Sequence, residues 1–294
     1  MAAIKHFDAL RHLLLSNPGH IKVLAEGDSW FAYPRRFFAL GEASNLIDIL
    51  GQADDMAVFG RPANGAQLAQ MMTPPRRDEL LRRLSELPYD ALIFSGGGND
   101  IVGEYDFELY LSDRKPGLDS GPPSWNGFRW ERFDSKLAQV RALYLELIER
   151  VCFYSRNPDT HIVVHTYDVP PPSDQGFELF DAIPIGDSWM MPYMKTAGVP
   201  EDECAGIVRD MLNRFERMLV ELEASDESSD RFHVVQTQGT IEPDEWRNEI
   251  HPTPAGFRRI GAAIDARIRQ VVGQPVPVDR ERLKFELAPG HEDR

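Results

Sequence analysis

The chain has 294 residues and a formal net charge of −15, from 47 acidic against 32 basic side chains. A protein that binds by neutralising phosphates needs the opposite balance, so nucleic acid is not an expected partner. Apolar residues at 42% and charged residues at 27% suit a globular protein. No apolar run approaches the roughly 20 residues of a membrane helix.

The first twenty residues carry too many charges for a signal peptide, their longest apolar run being the three leucines 13–15. Cys152 and Cys204 form no C-x-x-C pair and read as two free thiols in helices. A cytoplasmic location is the resulting expectation.

Ile4, Phe7, Leu10 and Leu14 recur at helical spacing and predict an amphipathic helix over 3–16, which Asn17, Pro18 and Gly19 stop. IKVLAE (21–26) reads as a short apolar strand running directly into GDSW (27–30). A helix near 42–51, a second strand at 56–60 and the broken loop RPANG follow, then helices over 65–72 and 77–86. YDALIFSGGGND (89–100) is a buried strand that ends in three glycines. Phe133, Leu137, Val140, Tyr144, Leu147 and Val151 mark a long helix, and 161–167 a fourth strand. Val208, Met211, Leu212, Phe215, Leu219 and Leu222 mark another helix before a fifth strand at 231–237. Thr253 and Pro254 suit the cap and first position of a last helix facing inward through Phe257, Ile260, Ile264 and Ile268. Five short strands alternating with helices predict an α/β fold with a parallel, doubly wound sheet, whose sites form at the carboxyl ends of the strands.

Two stretches, 101–131 and 168–200, break the alternation. Both are rich in Pro, Gly and aromatic residues, and both follow strands. They are expected to form a lid or pocket wall, a satellite aromatic core under the loops, or both. Trp30, Trp125 and Trp189 are the candidate substrate-binding aromatics. Residues 273–294 read as an extended, charged tail.

Four segments then meet at strand ends. Ser29 follows the first strand, Gly65 lies after the second, Asn99 closes the third, and His251 comes after the fifth. Serine and histidine at one sheet edge make a nucleophile and its base. The N–H groups of Ser29 and Gly65 and the side-chain amide of Asn99 would supply donors to an oxyanion. His165 also ends a strand, and a structural role is expected for it. GDSW recurs at 186–189, but inside an insertion with no strand before it, so Ser188 lacks the context of Ser29.

GDS (27–29), Gly65 in PANGA, GGND (97–100) and HP (251–252), taken in this order, resemble the SGNH, or GDSL-like, serine hydrolases. The resemblance frames the chain from about residue 21 to 257. It implies a flavodoxin-like three-layer α/β/α sandwich with a mainly parallel five-stranded sheet, as one domain over 1–272 bearing the two loop-rich insertions. It also implies hydrolysis of esters, thioesters or acetyl groups through an acyl-enzyme on Ser29, without metal; the leading expectation is a small or lipid-like acyl ester as substrate, with no cofactor.

One position departs from the family pattern. Three residues before the histidine, where an aspartate is usual, stands Asn248 in DEWRNEIHPT. An amide oxygen can still accept the ring N–H, although it supplies no charge to an imidazolium. The corresponding Asp-to-Asn change in a serine protease lowers turnover about 10⁴-fold, largely through the wrong tautomer. Asn248 is therefore the first candidate to orient His251, with Asp244 and Glu249 as rivals. The departure also keeps open a catalytically degenerate binding protein on the same fold. A metal-dependent phosphoesterase is less favoured, because the chain has no H-E-x-x-H and no compact ligand cluster.

Overall fold

Strands buried on both faces lose the polar alternation of half-exposed ones and read as continuous apolar runs. A computed structural model describes residues 4, 6–34, 42–111, 127–179, 183–184 and 187–275. The chain opens with α1 (Phe7–Ser16), β1 (Ile21–Gly27), the single turn α2 (Ser29–Ala32) and α3 (Leu46–Leu50). β2 (Met56–Gly60) leads to α4 (Leu68–Met71) and α5 (Arg76–Glu86). β3 (Ala91–Ser95) leads to α6 (Gly98–Ile101) and α7 (Glu104–Tyr110). The long α8 (Trp130–Glu149) ends in a π-helical turn (Arg150–Tyr154) before β4 (His161–His165). A small ribbon of β5 (Glu178–Leu179) and β6 (Ile183–Pro184) comes next, then α9 (Met191–Thr196), α10 (Glu201–Glu223), β7 (Phe232–Val235) and α11 (Pro254–Val272).

The five long strands form one parallel sheet in the order β2-β1-β3-β4-β7. This is the flavodoxin-like order, with the switch point beside β1, where ligand crevices open. All residues of β1, β2 and β3 are buried. α3 and α11 pack together over one face, and α8 joins α4, α6 and α10 over the other. The result is the three-layer α/β/α arrangement expected for the family resembled.

One cation enters this apolar sheet. Lys22 in β1 is fully buried, and its Nζ lies 2.6 Å from Asp90 Oδ2, which also accepts the Lys22 backbone N–H at 2.7 Å. A buried charge persists only when paired and hydrogen-bonded in this way. The last helix starts as its sequence predicts. Thr253 Oγ1 accepts the N–H of Gly256 at 3.4 Å, with Pro254 in the first turn.

The third strand is shorter than its sequence suggests. It stops at Ser95, and Gly97, at φ 98°, turns the chain into α6, so Asn99 sits in a helical turn. A Cβ at Gly97 would lie 2.7 Å from the Phe215 ring, so both backbone and packing demand glycine there. The two insertions also contain more regular structure than expected. α7 and α9 are too short to show in the 11- to 18-residue windows on which periodicity arguments rest. The tail beyond 275 lies outside the described residues. Among the described residues no helix is long and apolar enough to cross a membrane, and Cys152 and Cys204 are buried free thiols.

Phe257 of α11 is fully buried beneath the site, its ring centroid 5.7 Å from that of Trp30 and 6.3 Å from that of Tyr33. Phe257→Ala is expected to cost roughly 3–5 kcal/mol of stability through the cavity it leaves. Urea unfolding of the two proteins measures this, and a cost below about 1 kcal/mol would contradict the packing described.

Candidate active site

The carboxyl ends of β1, β3 and β4 converge on Asp28. This side chain is only 1% exposed and caps α2 by accepting the Trp30 N–H at Oδ1 (3.0 Å). Ser95 Oγ donates to the same oxygen at 2.8 Å, and the Tyr167 phenol donates to Oδ2 at 2.6 Å. The Asp28 N–H reaches back to the carbonyl of Ser95 at 3.2 Å. Burial raises the Asp28 carboxyl to about 6, against the opposing pull of its hydrogen bonds. This network fixes Ser29 as the first residue of α2, directly after the cap.

His251 reaches Ser29 from the far side of the sheet edge. Its Nε2 is 2.7 Å from Ser29 Oγ, and its Nδ1 is 3.0 Å from Asn248 Oδ1. Asn248 Oδ1 also accepts the backbone N–H groups of Ile250 (3.2 Å) and His251 (2.8 Å), while its Nδ2 donates to the Tyr33 hydroxyl (3.3 Å). Those contacts set the amide orientation, because an oxygen must face the two backbone donors. His251 Nδ1 therefore carries the proton, and Nε2 is left to accept from Ser29 Oγ–H. The loop carrying this pair is closed by Arg247 N–H to the His251 carbonyl (2.8 Å) and Thr253 N–H to the Glu245 carbonyl (2.7 Å). Burial first, and then the Arg247 charge, lower the His251 imidazole to about 3.

The two rivals of Asn248 lie elsewhere. Asp244 is exposed. Glu249 is fully buried and points away from the histidine, accepting the consecutive N–H groups of Trp189, Met190 (2.7 Å) and Met191 (2.8 Å). It latches the 189–191 segment, where α9 begins, to the histidine loop. Of the three, the side chain hydrogen-bonded to the ring is that of Asn248.

Gly65 sits at φ 71° on an exposed loop, with nothing within 4 Å of where a Cβ would be. That loop is tied to the site by Ala63 N–H to the Gly27 carbonyl (3.0 Å) and by Asn99 Nδ2 to the Ala66 carbonyl (3.0 Å). Asp100 joins the same loops by accepting the N–H groups of Leu68 (2.6 Å) and Ala69 (3.2 Å). Asn99 keeps a second amide hydrogen beyond the one given to Ala66.

A cavity opens to solvent beside Ser29 and Asn99. Its far walls are apolar: Ile101, Val102, Met190, Val208, Met211 and Leu212. Trp30 borders it, with its ring packed among His165, Tyr167, Trp246 and Phe257. Trp189 does not line it; its ring meets the His251 ring edge-on at 5.4 Å. Trp125 lies outside the described residues. Phe107, Tyr110, Phe128 and Phe133 pack on one another, with Trp130 against them, as part of the main core and not as a separate satellite. The described aromatics of the first insertion thus pack with the core and do not wall the cavity.

The sequence reading missed α10 as a pocket wall. Val208, Met211 and Leu212 carry the same apolar signal as any core-facing helix stripe. It also missed Tyr167, which it placed inside the fourth strand at 161–167, whereas β4 ends at His165. His165 is buried, its Nε2 lying 2.9 Å from Ser95 Oγ, and burial lowers it to about 3. Among the described residues, no three His, Cys, Asp or Glu side chains are grouped to hold a metal ion.

No protein-family model matches the chain, and no curated protein matches it in sequence. Solved structures do. The lipase Lip_vut3 from a goat rumen metagenome superposes with a TM-score of 0.52 at 14% identity, covering 84% of this chain and 96% of that one. A protein from Slackia heliotrinireducens described as a candidate SGNH hydrolase gives 0.47 at 12% identity, covering 84% and 98%. The acetyl xylan esterase Est2A from the rumen bacterium Butyrivibrio proteoclasticus gives 0.43 at 10% identity, covering 86% and 64%. The chain thus has the fold of the SGNH, or GDSL-like, hydrolases.

The contrast between the two acids of the histidine loop is measurable. Glu249→Gln replaces one acceptor oxygen with a donor facing buried N–H groups. It is expected to lower stability by roughly 2–4 kcal/mol. Asp244→Ala should change it by no more than about 0.5 kcal/mol. Chemical denaturation of both variants checks the pair, and equal effects would contradict the latch.

Proposed function

We propose that this chain is a serine-dependent hydrolase of carboxylic esters, with Ser29 as nucleophile and His251 as general base. The observation that carries this reading is the aligned series Ser29 Oγ, His251 Nε2 and Nδ1, Asn248 Oδ1, with separations of 2.7 and 3.0 Å at its two hydrogen bonds. Likeness in fold to a lipase agrees with it.

In the proposed reaction Ser29 Oγ attacks the ester carbonyl while its proton passes to His251 Nε2. The Ser29 and Gly65 N–H groups and the free Asn99 amide hydrogen receive the oxyanion. Collapse expels the alcohol, which takes the proton from His251, and leaves an acyl group on Ser29. Water, deprotonated by the same nitrogen, then releases the acid. The apolar cavity accepts the acyl part of a small or lipid-like ester. Asn248 holds the correct tautomer but lends no charge, so the imidazolium formed in each step is stabilised less than beside a carboxylate.

That same neutrality favours a second reading, a binding protein that retains the fold and hydrolyses little. A fluorophosphonate probe and short-chain p-nitrophenyl esters separate the two. An adduct at Ser29, with turnover reduced about 10³-fold or more in Ser29→Ala, is the expected result. A folded protein with neither adduct nor turnover would establish the binding reading instead.

The pH profile follows from the histidine. The reaction needs neutral imidazole, so activity is lost as pH falls through the His251 pKa. With that pKa held low, the acid limb of kcat/KM lies below the ordinary histidine range. Asn248→Asp places a carboxylate on Nδ1 and is expected to move this limb up by about 1 unit or more, with turnover rising about tenfold. An unchanged limb and unchanged turnover would rule out Asn248 as the group on His251.

A further inference from the structure

We infer that Tyr167 is a positioning residue of this site, its phenol holding the nucleophile turn at Asp28 and the oxyanion turn at Gly98 in one fixed relation. The inference rests on the hydrolase reading above and adds to it a residue that neither contributes a proton nor contacts the nucleophile.

Tyr167 lies two residues beyond β4, is 4% exposed and borders the cavity. Its hydroxyl donates to Asp28 Oδ2 at 2.6 Å and accepts the Gly98 N–H at 3.3 Å. One oxygen therefore touches the residue before Ser29 and the residue before Asn99. Burial and the Asp28 charge hold the phenol well above its ordinary pKa, so it stays a donor.

The contact with the second turn is close. A Cβ on Gly98 would lie 2.9 Å from Tyr167 Cζ, so only glycine lets the ring approach this near. The backbone is shaped to deliver the ring as well. Tyr167 has φ 56°, the one positive φ outside glycine among the described residues. Side chains disfavour that region, and such conformations persist only where the surroundings over-determine them. Here the Tyr167 N–H donates to His165 Nδ1 (3.2 Å), and its carbonyl accepts from Thr237 Oγ1 (2.7 Å).

The first of those bonds also orders the protons around Asp28. With Nδ1 an acceptor, His165 donates from Nε2 to Ser95 Oγ, and Ser95 in turn donates to Asp28 Oδ1. A second histidine–serine pair thus faces away from the reaction and orients the carboxylate that Tyr167 holds. A residue needed only to fill space would require neither the hydroxyl nor the left-handed backbone.

The test is a double-mutant cycle on the full chain with p-nitrophenyl butyrate, comparing wild type, Tyr167→Phe, Asn99→Ala and the double variant, each checked by melting temperature. Tyr167→Phe is expected to lower kcat by roughly 10- to 100-fold, with KM changed less than about twofold. Asn99→Ala should lower kcat about 10²-fold, and the double variant should lose clearly less than the product of the two, because the placement of a donor matters little once it is gone. Full kcat in a folded Tyr167→Phe, or losses that simply multiply, would overturn the inference while leaving the hydrolase reading intact. If wild type shows no Ser29-dependent turnover, both fail together. If Tyr167→Phe does not fold, Thr237→Val replaces it. That variant keeps the phenol but removes the shorter of the two hydroxyl contacts to the Tyr167 carbonyl, and several-fold loss of kcat supports the inference whereas none overturns it.

Discussion

A carboxylate with almost no access to water sits at the centre of this site. Asp28 is held by the N–H of Trp30, the hydroxyl of Ser95 and the phenol of Tyr167, groups that come from α2, β3 and the end of β4. Burying a charge is costly unless its lone pairs are filled, and partial satisfaction is worse than none. The pKa raised to about 6 records how much of that cost remains. The donors must arrive together, so three strand ends are locked into one geometry and Ser29 inherits its place from them.

The histidine loop obeys a related constraint. It already buries Glu249, whose carboxyl is raised by desolvation and whose oxygens are committed to the 189–191 segment. A second carboxylate at position 248 would put two like charges on adjacent residues in one dry shell, each raising the cost of the other. A neutral amide avoids that conflict and still presents an oxygen to His251 Nδ1. In this setting an amide at 248 holds the His251 ring while Glu249 of the same loop ties down the 189–191 segment.

The cavity gains its character from elements that hold the fold. α10 buries its apolar stripe against α8 and β7, and Val208, Met211 and Leu212 of that stripe also border the cavity. Met190, carried over the site by the Glu249 latch, forms the opposing wall. The described aromatics of the first insertion, by contrast, pack on one another and do not line the cavity.

The sequence by itself determined the parallel five-stranded α/β fold, its boundaries to within a few residues at most strands, and the four segments that meet at the sheet edge. It could do so because apolar period, glycine turns and helix caps are local properties, and strand order in such folds leaves little freedom once the elements are known. Ser29, Gly65, Asn99, Asn248 and His251 could be singled out as candidates for the same reason: each stands at a fixed offset from a strand or helix end. What only the tertiary structure decided depends on direction and burial. Spacing ranks Asn248 above Asp244 and Glu249 without excluding them, and only folding shows that one faces the ring, one is exposed and one meets the 189–191 segment. Tyr167 and the stripe of α10 carry no special signal along the chain, because a hydroxyl between two turns, or a buried helix stripe bordering a cavity, exists only after distant segments have packed.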